Sequence, residues 1–350
     1  MGAPLMDPRV LQAITGDAYG GTERFFERLV MALHRDGIQQ LVILRAIEDR
    51  VERLRDAGLH PVPMTFETLE FLVRRRVRQH VKRFQPGLAL AWTPDVVPML
   101  TGMGVPVLGR WANGRPLDPY RHCQHLLVHC GDDQALLLEA GWPADRVHLL
   151  PPLVDQAPEP AVARRALFTP QQAPLMFAAV RMTERRDLHT ILRALQRLPD
   201  VYLWIAGDGP ERDALEHTAY ELGIKPRVRF LGWRDDLGAL YDACDLVLCT
   251  GSDRVPDHAA VEAWAHGKPV VAVGHLDRQS VLRPNENVVV LPGDDILTIV
   301  QGLKWVLAEP GALQTLGARG AHVFGQGHTE AQVLAAYRDL FEHLARNEGA

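Results

Sequence analysis

A chain of 350 residues is about twice the size of a typical domain, so two domains are expected, each long enough to bury a core of its own. Apolar residues make up 47% and charged residues 23%, ordinary for a globular protein, and a net charge of −5 excludes the basic excess of a nucleic-acid binder. The basic side is nearly all Arg, with Lys only at Lys82, Lys225, Lys268 and Lys304. No stretch approaches the ~18 apolar residues of a membrane span. The start, MGAPLMDPRVLQ, lacks the basic opening and long apolar core of a signal peptide, so a cytoplasmic protein is expected. Cys123, Cys130, Cys244 and Cys249 form no C-x-x-C pair and sit in or beside apolar runs, which reads as buried free thiols. His122, Cys123, His125, His129 and Cys130 crowd together, but a strand over 125–130 would send neighbours to opposite faces, so no metal site is expected.

Short apolar runs alternate with amphipathic segments throughout, the pattern of βαβ units and parallel sheets, which makes the fold class α/β. Gly20-Gly21-Thr22-Glu23 follows a short apolar stretch and opens a helix over 22–35, with Thr22 as its N-cap and Phe25, Phe26, Leu29, Val30 and Leu33 as its buried stripe. Two glycines ahead of a helix allow the backbone to approach a phosphate closely. Strands follow at 41–45, 88–92, 105–109, 126–130 and 147–150, and Gly37, Gly58 and Gly141 mark helix ends. Between the first two of these strands, a helix over 69–84 sets Leu69, Leu72, Val73, Val77, Val81 and Phe84 on one face and Arg74, Arg75, Arg78 and Lys82 on the other. Two readings fit it. One is a core helix with a solvated basic face; the other is a peripheral contact with anionic lipid at the inner face of the cytoplasmic membrane, each basic residue near the surface adding about 1 kcal/mol.

From 151 to 174 the periodicity fails and Pro151, Pro152, Pro158, Pro160, Pro170 and Pro174 accumulate, marking a linker. The alternation then resumes with strands at 175–180, 201–206, 228–231, 246–249, 270–273 and 288–291 and a helical region from about 294. The expected organisation is a first domain at 1–152, a linker at 153–174, a second domain at 175–328 and a terminal segment at 329–350. Doubly wound sheets of this kind bind ligands at their strand C-termini, here expected between the domains.

Three groups of residues carry chemistry. Arg181 and Arg186 stand where a strand gives way to a helix, whose free N–H groups favour an anion, and each charge-assisted bond to a phosphate is worth about 1.5–3 kcal/mol. Gly207 and Gly209 allow a tight turn after the next strand, and Pro210 suits a first helical position. Glu262 lies on a helix that begins near Asp257 and breaks at Gly267; a carboxylate so placed can accept bonds from both hydroxyls of a ribose.

In this order and spacing the motifs resemble the retaining glycosyltransferases of family 4, over nearly the whole chain and most strongly across 180–273. The resemblance implies a GT-B fold of two Rossmann-like, doubly wound parallel-sheet domains, acceptor side first and nucleotide-sugar donor side second, with the terminal helix (about 329–345) crossing back to the first domain. It implies that Gly20 and Gly21 lie against the donor diphosphate, that Arg181 and Arg186 stabilise the leaving diphosphate as the catalytic pair, and that Glu262 holds the ribose. Trp233 and Arg234 fall in the stretch that borders the nucleobase. The Glu-Ala-Trp-Ala-His-Gly wording is similar to transferases that build lipopolysaccharide cores. No metal and no cofactor is implied; the partners are the nucleotide-sugar, with UDP, GDP and ADP all open, and a glycan or lipid-linked acceptor.

The chain also departs from the family. Arg254 stands where a second Glu holds the donor sugar, and Val255-Pro256-Asp257 replaces the usual Phe-Gly. A His often found after the fourth N-terminal strand is absent from Gly109-Arg110-Trp111-Ala112-Asn113-Gly114, and Gly274-His275-Leu276-Asp277-Arg278 replaces a loop of small residues. The reading is therefore a retaining, metal-independent hexosyltransferase of cell-envelope polysaccharide or lipopolysaccharide synthesis. The alternative is a degenerate protein of the same fold that binds a nucleotide as a partner subunit without transferring sugar.

Overall fold

The computed structural model describes residues 8–16, 20–67, 70–112, 115–156, 160–183, 186–251, 257–276, 280–293 and 295–348. The chain divides into two units, Met1–Leu153 with Glu330–Ala350, and Val154–Thr329. The first carries β1 (Arg9–Ile14), β2 (Gln39–Arg45), β3 (Val62–Met64), β4 (Leu88–Ala91), β5 (Val107–Arg110), β6 (His125–Val128) and β7 (Val147–Leu149). They form one parallel sheet in the order β3-β2-β1-β4-β5-β6-β7. The second carries β8 (Leu175–Ala179), β9 (Tyr202–Ala206), β10 (Val228–Gly232), β11 (Leu246–Gly251), β12 (Val270–Gly274) and β13 (Val289–Leu291), also parallel, in the order β10-β9-β8-β11-β12-β13. These are two doubly wound α/β sheets, as expected. Their central strands are buried on both faces, so they read as unbroken apolar runs such as Leu-Ala-Leu-Ala in β4.

Two strands were not among those expected. β1 is interrupted by Gln12, which is fully buried; its carbonyl accepts from Trp92 Nε1 (2.9 Å) and its amide donates to Gln40. β3 is three residues long, contains Pro63 and sits at the sheet edge, the one place where a missing N–H is tolerated.

Helix Gly21–Arg35 follows β1 and buries Phe25, Phe26, Leu29, Val30 and Leu33, the predicted stripe. Its N-cap is Gly20, two residues earlier than the expected Thr22, which lies inside the helix. Helix Glu330–Glu348 adds Val333, Leu334, Tyr337, Phe341 and Leu344 to the same core. Arg338 and Glu330 anchor it to Asp36 (2.7 Å) and Arg35 (2.9 Å). In helix Glu70–Phe84 the buried residues are Val73, Val77 and Val81. Leu72 departs from expectation: it is 46% exposed and Phe71 64%, because a residue one step from the 73–77–81 row is turned ~100° away. Arg74 is not on the solvated face either, since it donates to the carbonyls of Pro98 (2.7 Å) and Thr101 (3.0 Å). Leu69 lies outside the described residues.

From Val154 onward the proline-rich stretch groups with the second unit. Arg164 holds it, donating to the carbonyls of Ala243 (2.9 Å) and Ala173 (3.0 Å) and pairing with Asp245 (2.6 Å). Proline removes backbone donors and so ends regular structure, but it does not prevent side chains from docking. No helix among the described residues is long and apolar enough to cross a membrane.

Helix Asp257–Ala265 lies against helix Pro310–Gly325, and a Cβ on Gly320 would come within 2.0 Å of the buried ring of Trp264. Gly320→Ala should therefore destabilise the second unit by about 1–3 kcal/mol in urea unfolding. Gly311→Ala, on the same helix with nothing within 4 Å, should be neutral or stabilising by up to ~1 kcal/mol. Equal effects at both positions would contradict this packing.

Candidate functional site

In a doubly wound sheet the loops diverge at the point where strand order reverses, leaving a crevice at the strand C-termini. In the second unit that point lies between β8 and β11. Arg181 follows β8 and is exposed. Its neighbours are fixed: Val180 N–H donates to Ala206 (2.9 Å) and Met182 N–H to Asp208 (2.9 Å). Gly207 has φ +118, and a Cβ there would lie 2.0 Å from the carbonyl oxygen of Val180; one on Gly209 would lie 2.2 Å from that of Met182. These two glycines thus permit close contact between the loops after β8 and β9. Pro210 does not open the following helix, Arg212–Glu221, but precedes its N-cap Glu211. Arg186 begins helix Arg186–Gln196. The side chain of Arg186 and the whole of Arg254 lie outside the described residues.

Glu262 is half-buried on helix Asp257–Ala265, which follows β11. Tyr241 Oη donates to its Oε2 at 3.2 Å. Tyr241 is itself buried against His266, the rings stacked with centroids 5.4 Å apart, and His266 Nδ1 lies 3.0 Å from Asp242. Burial, and then the neighbouring Glu262 carboxylate, push the Tyr241 hydroxyl far above its ordinary pKa, so it remains a proton donor. Trp233 and Arg234 leave β10. Arg234 forms a fork–fork pair with Asp236 at 2.7 and 2.5 Å, whose hydrogen bonds raise its pKa further. The structure thus gives Arg234 a partner within its own loop.

In the first unit the reversal falls between β1 and β4. Thr15 and Thr93, at the ends of those strands, are both buried and share a 2.8 Å hydroxyl hydrogen bond. Gly20 and Gly21 stand at the start of helix Gly21–Arg35, whose first-turn amides have no intrahelical partner. A Cβ on Gly20 would meet the Glu23 carboxylate at 2.0 Å. At the end of β5, Arg110 lies over the rings of Phe25 (5.5 Å) and Trp92 (5.8 Å). Its Nη1 and Nη2 of Arg115 both point at Thr22 Oγ1 (3.4 and 3.1 Å). Sequence reasoning noted Arg110 only as the place where a His is missing, and missed Arg115, Tyr241 and Asp242. The one available signal was the run of two arginines five apart around a glycine after a strand.

Residues 161–323 match the family model "Glycosyl transferases group 1". The lipopolysaccharide core biosynthesis glycosyltransferase LpsE of Rhizobium meliloti is 29% identical over 337 residues, covering 92% of this chain and 95% of that protein. LpsD of the same organism is 27% identical over 329 residues with the same coverage. Among solved structures, Anabaena HepE in complex with UDP and glucose superposes with a TM-score of 0.82 at 18% identity, covering 96% of this chain and all of that one, which establishes the GT-B fold.

The histidine and cysteine cluster disperses. β6 ends at Val128, so His129 and Cys130 lie beyond it, and His129 Nδ1 contacts the Leu150 carbonyl at 3.0 Å. Burial pushes the thiols of Cys123 and Cys244 up to about 12. His125 Nδ1 faces His148 Nε2 at 3.1 Å, so one ring donates and the other must stay neutral. Burial first, then His125 and His343, lower the His148 pKa from 6.5 to about 4. A depressed pKa favours the deprotonated folded form, so this contribution is intact above about pH 6.5 and is lost as pH falls toward 4. Denaturant unfolding of wild type across that window should show falling stability, and His148→Gln should flatten the slope; an unchanged slope would refute the assignment.

Proposed function

We propose, from the match of residues 161–323 to the group 1 glycosyltransferases, that the chain is a member of that family and transfers a hexose from a nucleotide-sugar to a growing lipopolysaccharide core, with retention at the anomeric carbon. The anomeric carbon–oxygen bond to the diphosphate breaks, the acceptor hydroxyl oxygen takes its place, and the proton of that hydroxyl leaves with the diphosphate. Negative charge grows on the departing phosphate, so preorganised cations there are worth roughly 10²–10³ in rate each. In this reading Arg181 and Arg186 supply them and Glu262 accepts from the ribose, while the first-turn amides at Gly20 and Gly21 are the phosphate-binding backbone of the first unit. Trp233 borders the base and Arg234, held by Asp236, shapes that loop; Arg254, at the position of the family's sugar-binding Glu, is assigned a part in donor preference.

The observation that carries the reading is the combination of Arg181 after β8 with Glu262 on the helix after β11, the two strands that flank the reversal of sheet order. Glu262 is preorganised by Tyr241, which suits a group that must hold one conformation of a ribose. HepE has been solved with UDP-glucose, which makes UDP-hexoses the first donors to test. LpsE and LpsD act in lipopolysaccharide core biosynthesis by name, which makes truncated core oligosaccharide the first acceptor.

The deciding experiment is calorimetry with UDP and with pyrophosphate, followed by anomeric NMR of the product. Glu262→Ala should weaken UDP at least tenfold and leave pyrophosphate unchanged, whereas Arg181→Ala should weaken both by one to two orders of magnitude. Equal losses for both ligands in Glu262→Ala would mean that Glu262 supports the fold. Tight binding of UDP with no turnover of any UDP-hexose would favour the non-transferring alternative.

A peripheral membrane contact belongs to the same proposal. Phe71 and Leu72 are exposed beside exposed Arg75, Arg76, Arg78, Lys82 and Arg83 on one helix, the composition of an interfacial anchor for anionic lipid. Flotation with vesicles containing anionic lipid should recover the protein, and Phe71→Ser with Leu72→Ser should abolish recovery. Equal recovery on neutral vesicles would refute electrostatic attachment.

A further inference from the structure

Two guanidinium groups of the first unit converge on a single neutral oxygen. Arg110 Nη1 lies 3.4 Å and Arg115 Nη2 3.1 Å from Thr22 Oγ1. Neither forms an ion pair with a carboxylate among the described residues; Arg115 also donates to the Trp92 carbonyl (3.5 Å) and lies against the Tyr120 hydroxyl, and Arg110 Nε is buried without a hydrogen-bond partner. Burial, and then the charge of Arg115, lower the Arg110 pKa, yet an arginine stays cationic at neutral pH. Two like charges held together in a sheltered place repel, and a hydroxyl oxygen offers them no compensating charge. Elsewhere in this unit the buried cation is neutralised: Arg50, with no exposed surface, pairs with Glu27 at 2.8 Å.

Arg110 is also held rigidly. It ends β5, stands over Phe25 and Trp92, and its carbonyl accepts from Tyr120 Oη (3.0 Å). Thr22 opens the second position of helix Gly21–Arg35, so the two guanidiniums face the positive end of a 15-residue helix. The helix terminus and the two guanidiniums favour an anion, against the opposing charges of Glu23 in the same first turn and of Asp133 near Arg110, and the forked geometry of arginine matches two oxygens of one group.

We propose that Arg110 and Arg115, gathered around Thr22 Oγ1, form a binding site for a phosphate or carboxylate group carried by a substrate. The site itself stands on this geometry, while its assignment to a substrate rests on the glycosyl-transfer reading. A donor diphosphate and an acidic group on the acceptor share the required chemistry.

The test uses the full-length protein and inorganic phosphate, titrated against chloride at matched ionic strength, with the melting midpoint and calorimetry as readouts. Wild type should show a saturable, phosphate-specific rise in midpoint that follows ln(1 + [L]/Kd). Arg115→Ala should weaken phosphate about tenfold with its midpoint in chloride unchanged, and Arg115→Lys should recover part of the affinity. Thr22→Val, which removes the oxygen but neither cation, should retain phosphate binding. The same variants titrated with UDP distinguish the sources. Weakened UDP binding in Arg115→Ala assigns the site to the donor diphosphate; unchanged UDP binding with weakened phosphate assigns it to the acceptor. Absence of any phosphate effect beyond chloride in wild type, or identical titrations in wild type and Arg115→Ala, would overturn the proposal. Failure of wild type to bind UDP would overturn the donor reading and leave the phosphate result standing.

Discussion

The loops that leave β8 and β9 are tied into one backbone assembly, and the candidate site of the second unit is built on it. Val180 and Met182 donate to Ala206 and Asp208, and Glu211 N–H returns to the Met182 carbonyl at 3.0 Å. Gly207 and Gly209 close the contact, because any side chain there would collide with backbone oxygens that cannot move away. Arg181 is flanked on both sides by anchored residues, so its position is set even though its side chain is exposed. A cation at the end of a buried parallel strand is useful to a ligand only if its backbone does not shift, and this assembly supplies that rigidity without burying the charge.

The first unit treats its arginines in two ways. Where a cation is structural it is paired and enclosed: Glu27 takes Arg50 and Arg53, each at 2.8 Å, and bridges the two helices that flank β2. Where cations gather at the strand ends, around Thr22, the described residues provide aromatic faces and a hydroxyl but no ion-paired carboxylate. Breaking a buried pair costs about 3–5 kcal/mol, so a fold has reason to complete its pairs unless a ligand will complete them. The two arrangements lie within one unit, which makes the contrast a property of position and not of composition.

Most of the architecture was legible because a buried parallel strand leaves a strong trace. β4, β6, β8, β11 and β12 are short apolar runs separated by amphipathic helices, and no competing pattern explains them. β1 escaped because Gln12 looks polar in sequence; only Trp92 and Gln40, far along the chain, explain its burial. β3 escaped because three residues with a proline carry no periodic signal. The linker was read from its prolines, yet Arg164 docks it onto Ala243 and Asp245 through contacts about eighty residues away in sequence. Glu262 was found because it lies in a recognisable local wording. Arg110 and Arg115 were not, since their significance is convergence on Thr22, 88 and 93 residues earlier.

The wording around Glu262 also has a physical account. A carboxylate on a helix surface samples several rotamers, and fixing one against solvent costs entropy at every binding event. Tyr241 removes part of that freedom by donating to Oε2 of the carboxylate. Tyr241 can do so only if its own ring is immobile, and the stacked His266 ring together with Phe177, edge-on at 5.0 Å, provides that. His266 sits four residues after Glu262 on the same side of the chain and is held in turn by Asp242, the residue after Tyr241. The Glu-Ala-Trp-Ala-His run therefore places an acceptor, the Trp264 anchor that seats the helix against Gly320, and the support for the acceptor's donor within one and a half turns. Each side chain is explained by the one it positions, and the chain of support ends at the carboxylate.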